Sequence, residues 1–266
     1  MKSIGIEAIS YVGTTLLSMI LGSHPRCKSV GHCYVFFNPY RKKKKAFHRK
    51  CDICELLEKD CDLEQFININ CNAEDAYNLI DTLILKDGED TIIDCSSTTP
   101  WFELSRPDTL IWTFREPVSL ASSYKKRGLK LSYMVKAYLK KYTHASGLVI
   151  DYANIIKETD HLKGLFKALG LEYSSDYLEY WKYENHAISG NKGVLLNYAK
   201  HHCPEKAEHV IAEISAGNVD YEKYYRDAEG NFDGSIDILT EEERIYIQRT
   251  CGRLYGRLKD MEACLI

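Results

Sequence analysis

Gly13, Thr14 and Thr15 sit two residues beyond the apolar run 4–10, and the amphipathic stretch 14–21 begins with no spacer. A strand that turns on a glycine into a helix aims the helix's first, unbonded N–H groups at whatever lies above the strand. The helix dipole favours an anion there, and the threonine hydroxyls add donors. A nucleoside triphosphatase loop needs G-x-x-x-x-G-K-[ST]. Here Thr14 follows Gly13 directly, no lysine precedes the threonines, and Gly5 lies too far back. The spacing disfavours an ATPase or GTPase and leaves two readings: an anion site, or a tight turn capped by threonines.

A second constellation is Cys51-x-x-Cys54 with Cys61 beyond it and His48 just before. Two cysteines at this spacing form a knuckle suited to zinc, with Cys27, Cys33 and His48 as further ligands. The alternative is a set of buried, reduced cysteines on a short helix. Residues 1–3 lead straight into a strand-like run with no secretory signal, so a cytoplasmic chain with reduced thiols is expected, and metal rather than disulfides. No apolar stretch approaches the roughly 20 residues that a membrane span needs.

The run RKKKKAFHRK, residues 41–50, is a solvated basic loop. Its functional reading is a border of an acceptor cleft that draws in an anionic substrate or touches an anionic membrane surface. Nucleic acid is not expected as a partner, because net charge is -3, pI is about 6.3 and no aromatic platform accompanies the lysines.

These groups need a scaffold. Strand-like runs at 4–10, 91–95, 109–114 and 147–150 alternate with helix-period stretches at 14–21, 73–85, 118–126, 133–143 and 161–169. Continuous apolar strands between helices predict an α/β fold: a P-loop-like parallel sheet flanked by helices. Such sheets bind ligands at the carboxyl ends of their strands, where residues 11–15 and 115–117 fall. Residues 27–61 read as an irregular, Cys-rich insertion. Helices at 204–215 and 241–261 form a helical C-terminal region over about 200–266. One domain spanning 1–266 is expected.

The stretch GTTLLSMILGSHPRCKSVGH resembles the opening motif of the sulfotransferases that use 3′-phosphoadenosine 5′-phosphosulfate (PAPS), there P-R-S-G-T-T-L-L with L-G-x-H-P and S-x-G-E. TFREPVSLASSYKKRG resembles the family's second motif, an R-D-P with a serine eight residues after the arginine, here Arg115 and Ser123. TIIDCSS resembles the D-S-S run of bacterial members, LVIDYANI the strand whose tyrosine packs on adenine, and NHAISGNKG the late H-x-x-x-G-N loop. The five motifs occur in order across residues 4–195.

The resemblance implies transfer of the sulfuryl group of PAPS to a hydroxyl of a small-molecule, glycan or lipid acceptor. It implies that Gly13, Thr14, Thr15 and Leu16 hold the 5′ end, that Arg115 and Ser123 clasp the 3′-phosphate, and that Tyr152 lies near the adenine. An arginine leaving a strand with a serine roughly two helical turns later suits one phosphate held from two sides. The alternative partners of Arg115 are Glu116 and Asp94. Gly190, Asn191 and Lys192 match the late loop, with Lys192 in place of its arginine.

Two departures bear on chemistry. Tyr11 occupies the slot of the family's loop lysine or arginine, which removes a charge that would stabilise the leaving phosphate; Lys125, Lys126 and Lys192 are the compensating cations considered. His32 stands at the base glutamate of S-x-G-E, and an imidazole suits proton abstraction near neutral pH. A metal ligand or packed polar residue is the other reading of His32. Beside the enzyme stand two alternatives: a catalytically degenerate nucleotide-binding or scaffold protein, and a P-loop kinase.

Overall fold

The computed structural model describes residues 1–34, 51–63, 75–96, 101–187, 192–216 and 238–266. Five strands, β1 (Lys2–Glu7), β2 (Cys27–Gly31), β3 (Thr91–Asp94), β4 (Thr109–Phe114) and β5 (Leu148–Asp151), form one sheet in the order β2-β3-β1-β4-β5. Every pairing is parallel, and β1 lies between β3 and β4, with Gly5 opposite both Asp94 and Leu110. Burial on both faces explains the largely apolar character of β1, β3, β4 and β5.

One face is covered by α1 (Thr14–Gly22) and α8 (Asp160–Leu169), which pack Leu17, Ile20 and Leu165 against Ile4 and Ile93, while α3 (Ala76–Ile84) lies on the opposite face with its Tyr77 bonded to Asp94. The other is covered by α5 (Pro117–Lys126), α6 (Leu131–Tyr142) and α11 (Glu241–Ala263) through Leu120, Met134, Tyr138 and Ile247. Short α2 (Asp52–Leu56), α4 (Trp101–Ser105) and α7 (Tyr152–Ile155) join the elements, followed by a 3-10 helix at Ser175–Lys182, α9 (Lys192–His202) and α10 (Pro204–Ala216). No described helix is long and apolar enough to cross a membrane.

Local chemistry sets the boundaries. Glu116 caps α5 by accepting the N–H groups of Val118 at 3.0 Å and Ser119 at 2.6 Å, with Pro117 at the first helical position. Thr240 and Glu243 close a reciprocal cap at the start of α11.

Two expectations fail. Residues 27–31 are not irregular but form the edge strand β2, whose polar sequence CKSVG hides its burial. Lys28, 1% exposed, reaches Glu89 at 3.8 Å and Glu184 at 3.6 Å, so the strand carries an ion pair where alternation would place an apolar residue. Lys192, expected in a loop, opens α9.

Candidate functional site

The loop after β1 is built from left-handed backbone. Tyr11 has φ 71° and Gly13 φ 86°. The first is a conformation that costs a non-glycine residue roughly 1–2 kcal/mol. Gly13 occupies the N-cap of α1 without a side-chain cap, so the turn is not capped by a threonine there. A Cβ at Gly13 would lie 2.5 Å from Cδ2 of Tyr152, which fixes both the residue type and the approach of that ring. Leu17 N–H donates to Gly13 O at 3.0 Å. The N–H groups of Thr14, Thr15 and Leu16 precede this first intrahelical bond. Lys141 of α6 pairs with buried Glu7 at 2.6 Å, and Tyr142 Oη donates to Thr113 O at 2.6 Å, holding the base of the loop against β4.

Arg115 leaves β4 immediately before the Glu116 cap and is only 5% exposed. Its Nε donates to Ser119 Oγ at 3.0 Å, and its guanidinium carbon lies 4.8 Å from the centre of the Tyr152 ring. Burial lowers the Arg115 pKa, yet a guanidinium stays charged in proteins, so this is a desolvated cation. The two acids considered as its partners are engaged elsewhere, Glu116 in the helix cap and Asp94 in a buried network. Buried Ser123 lies one turn beyond Ser119 and donates to its carbonyl at 3.3 Å. Gly13, Arg115 and Tyr152, distant in sequence, thus meet at the carboxyl ends of β1, β4 and β5.

Arg127 is the residue that motif reading missed. Its guanidinium covers the Tyr11 ring at 4.3 Å, and its Nη1 donates to Ser123 O at 2.9 Å. The Tyr11 ring, 42% exposed as a residue, meets Tyr124 edge-on at 5.2 Å. Of the compensating cations considered, Lys125 pairs with Glu243 at 2.6 Å and Lys126 is buried. The available signal was that Arg127 belongs to the same motif as Arg115 and Ser123.

His32 follows β2 directly after Gly31, whose φ is 63°. It is half-buried, with its ring edge-on to Tyr34 at 6.2 Å. β2 is two strands from β1, roughly 10 Å across the sheet. The segment is fixed by Asp94, whose Oδ2 accepts from Trp101 Nε1 at 2.7 Å, Tyr77 Oη at 2.9 Å and Cys33 Sγ at 2.9 Å. Ser96 N–H donates to Oδ1 at 2.7 Å, and Ser96 Oγ accepts from Tyr34 N–H at 3.0 Å. The residues flanking His32 are therefore tied to the end of β3. His32 belongs to none of the metal-competent clusters among the described residues.

Tyr152 is positioned from the far end of the chain. Glu262 of α11, fully buried, accepts from Asp151 N–H at 2.6 Å and Asn154 Nδ2 at 2.8 Å, and pairs with Lys259. Asp151 caps α7 through Ala153 N–H at 3.0 Å and accepts from Tyr255 Oη at 3.0 Å; burial raises its carboxyl pKa. Beside these elements lies a cavity of about 270 Å³ lined by Leu16, Ile20, Ile155, Ile156, Tyr180 and Trp181 among others.

No protein-family model and no curated protein matches the chain. Solved structures do. The sulfotransferase domain from the Synechococcus PCC 7002 olefin synthase aligns with a TM-score of 0.53 at 13% identity, covering 94% of each chain. The sulfotransferase domain from the curacin biosynthetic pathway aligns with a TM-score of 0.53 at 15% identity, covering 96% of this chain and 98% of that one. The chain has the sulfotransferase-domain fold.

On that sulfotransferase fold, the segment after β2 contributes a cluster. One ligand-capable atom from each of Cys51, Cys54, Cys61 and His186 lies within 4.8 Å of all the others. His186 Nδ1 is 3.5 Å from the sulfur of Cys54 and 3.5 Å from that of Cys61. The fourth member is therefore His186, not the cysteines considered from sequence: Cys27 lies in β2 and Cys33 bonds Asp94. His48, Gly190, Asn191 and the basic run 41–50 lie outside the described residues, as does the side chain of Lys192.

Proposed function

We propose that the chain is a sulfotransferase that moves the sulfuryl group of PAPS to a hydroxyl acceptor. The observation that carries this reading is the meeting of the α1 N-terminus, the desolvated Arg115 and the Tyr152 ring at the carboxyl ends of β1, β4 and β5. An anion-binding helix end, a buried cation and an aromatic face are the three elements that a phosphorylated adenosine requires.

In this reading the N–H groups of Thr14, Thr15 and Leu16, with the threonine hydroxyls, hold the 5′-phosphosulfate across the Gly13 turn. Arg115 and Ser123 hold the 3′-phosphate, joined by the Gly190–Asn191–Lys192 segment. Tyr152 and the cavity beside Leu16, lined by Ile20 and Trp181 but also by Lys157, Glu158 and Glu179, receive the adenine. PAPS supplies an activated sulfuryl group. His32 takes the proton of the acceptor hydroxyl as its oxygen bonds to sulfur and the bond from sulfur to the phosphate oxygen breaks, leaving adenosine 3′,5′-bisphosphate. Arg127, over the Tyr11 ring, brings to the loop the positive charge that Tyr11 itself lacks. The acceptor is a small molecule, glycan or lipid carrying a hydroxyl, with residues 41–50 bordering its cleft.

The left-handed, uncharged Tyr11 favours a second reading, a protein that binds the nucleotide without turnover. Calorimetric titration with adenosine 3′,5′-bisphosphate, without magnesium and beside ADP, tests what the two share. Binding near micromolar, about -8 kcal/mol, weakened roughly 30-fold or more in Arg115→Ala, is expected. Folded protein that ignores the bisphosphate, or binds ADP equally well, would sink the donor assignment. Binding with no sulfate transfer to any of a panel of hydroxyl acceptors would favour the second reading.

A further inference from the structure

The cluster of Cys51, Cys54, Cys61 and His186 has no role in the chemistry proposed above. We propose that these residues bind one zinc(II) ion in a closed tetrahedral site that staples α2 to the segment leading into α9.

The spacing of the donor atoms argues for a metal. With Zn–S near 2.3 Å and Zn–N near 2.0–2.1 Å, tetrahedral angles put a sulfur and a nitrogen ligand about 3.5 Å apart. His186 Nδ1 stands 3.5 Å from two of the three sulfurs. All four side chains are buried, and the three cysteines are free thiols, not disulfides. Nor is the imidazole oriented from its other side. Nε2 of His186 is buried without a hydrogen bond among the described residues, so Nδ1 is the ring nitrogen with partners, the sulfurs of Cys54 and Cys61. Three soft thiols and one imidazole whose ligand atoms all lie within 4.8 Å of one another match a structural zinc set.

The backbone around the cluster is braced. Asp52 N–H donates to Ala187 O at 2.7 Å, crossing directly between the two segments that the ion joins. Ser29 Oγ donates to His186 O at 3.4 Å, and Lys206 Nζ of α10 donates to Leu56 O at 2.8 Å. Four protein ligands leave no open position, so the site is structural, without a metal-bound water for catalysis. Its consequence is geometric. The ion fixes the chain five residues before Asn191, so the late glycine-containing segment departs from an anchored residue. The site itself does not depend on the donor reading.

The test uses the full chain, purified after growth with zinc. Elemental analysis is expected to find about one zinc per chain, and exchange with cobalt(II) the visible absorption of a tetrahedral thiolate site. Cys54→Ser and His186→Ala should weaken zinc at least about 100-fold, more than loss of a residue that merely orients a ligand. His186→Cys should keep the ion and shift the cobalt spectrum toward four-sulfur ligation. Where a variant fails to fold, the cobalt spectrum of the unaltered chain decides. Folded protein with neither zinc nor the cobalt band would overturn the proposal. So would a chain in which His48→Ala loses the ion while His186→Ala retains it.

Discussion

Tyr11 stands at the slot that the resemblance to the sulfotransferase motif assigns to a lysine or arginine, and its ring lies beneath the guanidinium of Arg127. If that pair replaces the missing cation, Arg127→Ala should lower kcat roughly 10²-fold, the size of effect seen when one charge-stabilising donor is removed. Tyr11→Lys added to Arg127→Ala should recover part of the loss, while affinity for the bisphosphate changes little. Equal activity in Arg127→Ala and the unaltered chain would leave the loop without its proposed charge. Gly13→Ala adds a Cβ at positive φ and 2.5 Å from the Tyr152 ring. It should cost at least about 1–2 kcal/mol in urea denaturation and weaken bisphosphate binding in calorimetry. At this scale Gly13, Arg115 and Tyr152 were legible, because each sits at a strand end inside a recognisable motif. His186 was not. Its sulfur partners are 125 and 132 residues away, and only the folded sheet brings them together.

Strands β1, β3, β4 and β5 were readable because burial on both faces forces near-continuous apolar runs. β2 was not, since its Lys28 is satisfied by acids from other segments, a pairing that no local pattern reveals. The element most relevant to the proposed site is α11, reaching β5 through Glu262. Glu262→Ala leaves the Asp151 N–H and the Asn154 amide without their acceptor and should cost on the order of 2–4 kcal/mol. Bisphosphate affinity should fall with it, since α7 and Tyr152 lose their brace. An affinity unchanged despite the lost stability would separate the brace from the site. Asp151 gives a pH signature. Burial raises its folded-state pKa above that of the unfolded chain, so the folded state holds the proton more tightly in the interval between the two. Stability relative to Asp151→Asn should fall as pH rises through that interval and level off above it; chemical denaturation across pH reads the slope. A difference that grows with pH would contradict the burial argument.

For the whole molecule, net charge of -3 leaves anion recognition to local placement rather than to a general field. Adenosine 3′,5′-bisphosphate at 100 times its Kd should stabilise the fold by about 2.7 kcal/mol. For a chain this long that raises Tm by about 5 °C, an increment expected to vanish in Arg115→Ala. Scanning fluorimetry checks it, and an equal shift with ADP would speak against a dedicated 3′-phosphate site. The order of synthesis adds a consequence of the Glu262 contact. Glu262 is 111 residues beyond the Asp151 N–H that it accepts. A ribosome adding about 5–20 residues per second needs about 5–20 s to cover that distance. From Lys192 until α11 is made the emerging chain holds the residues assigned to the nucleotide yet lacks the support for its tyrosine, so nascent chains stalled before α11 should fail to be retained on an immobilised bisphosphate resin that captures the full chain.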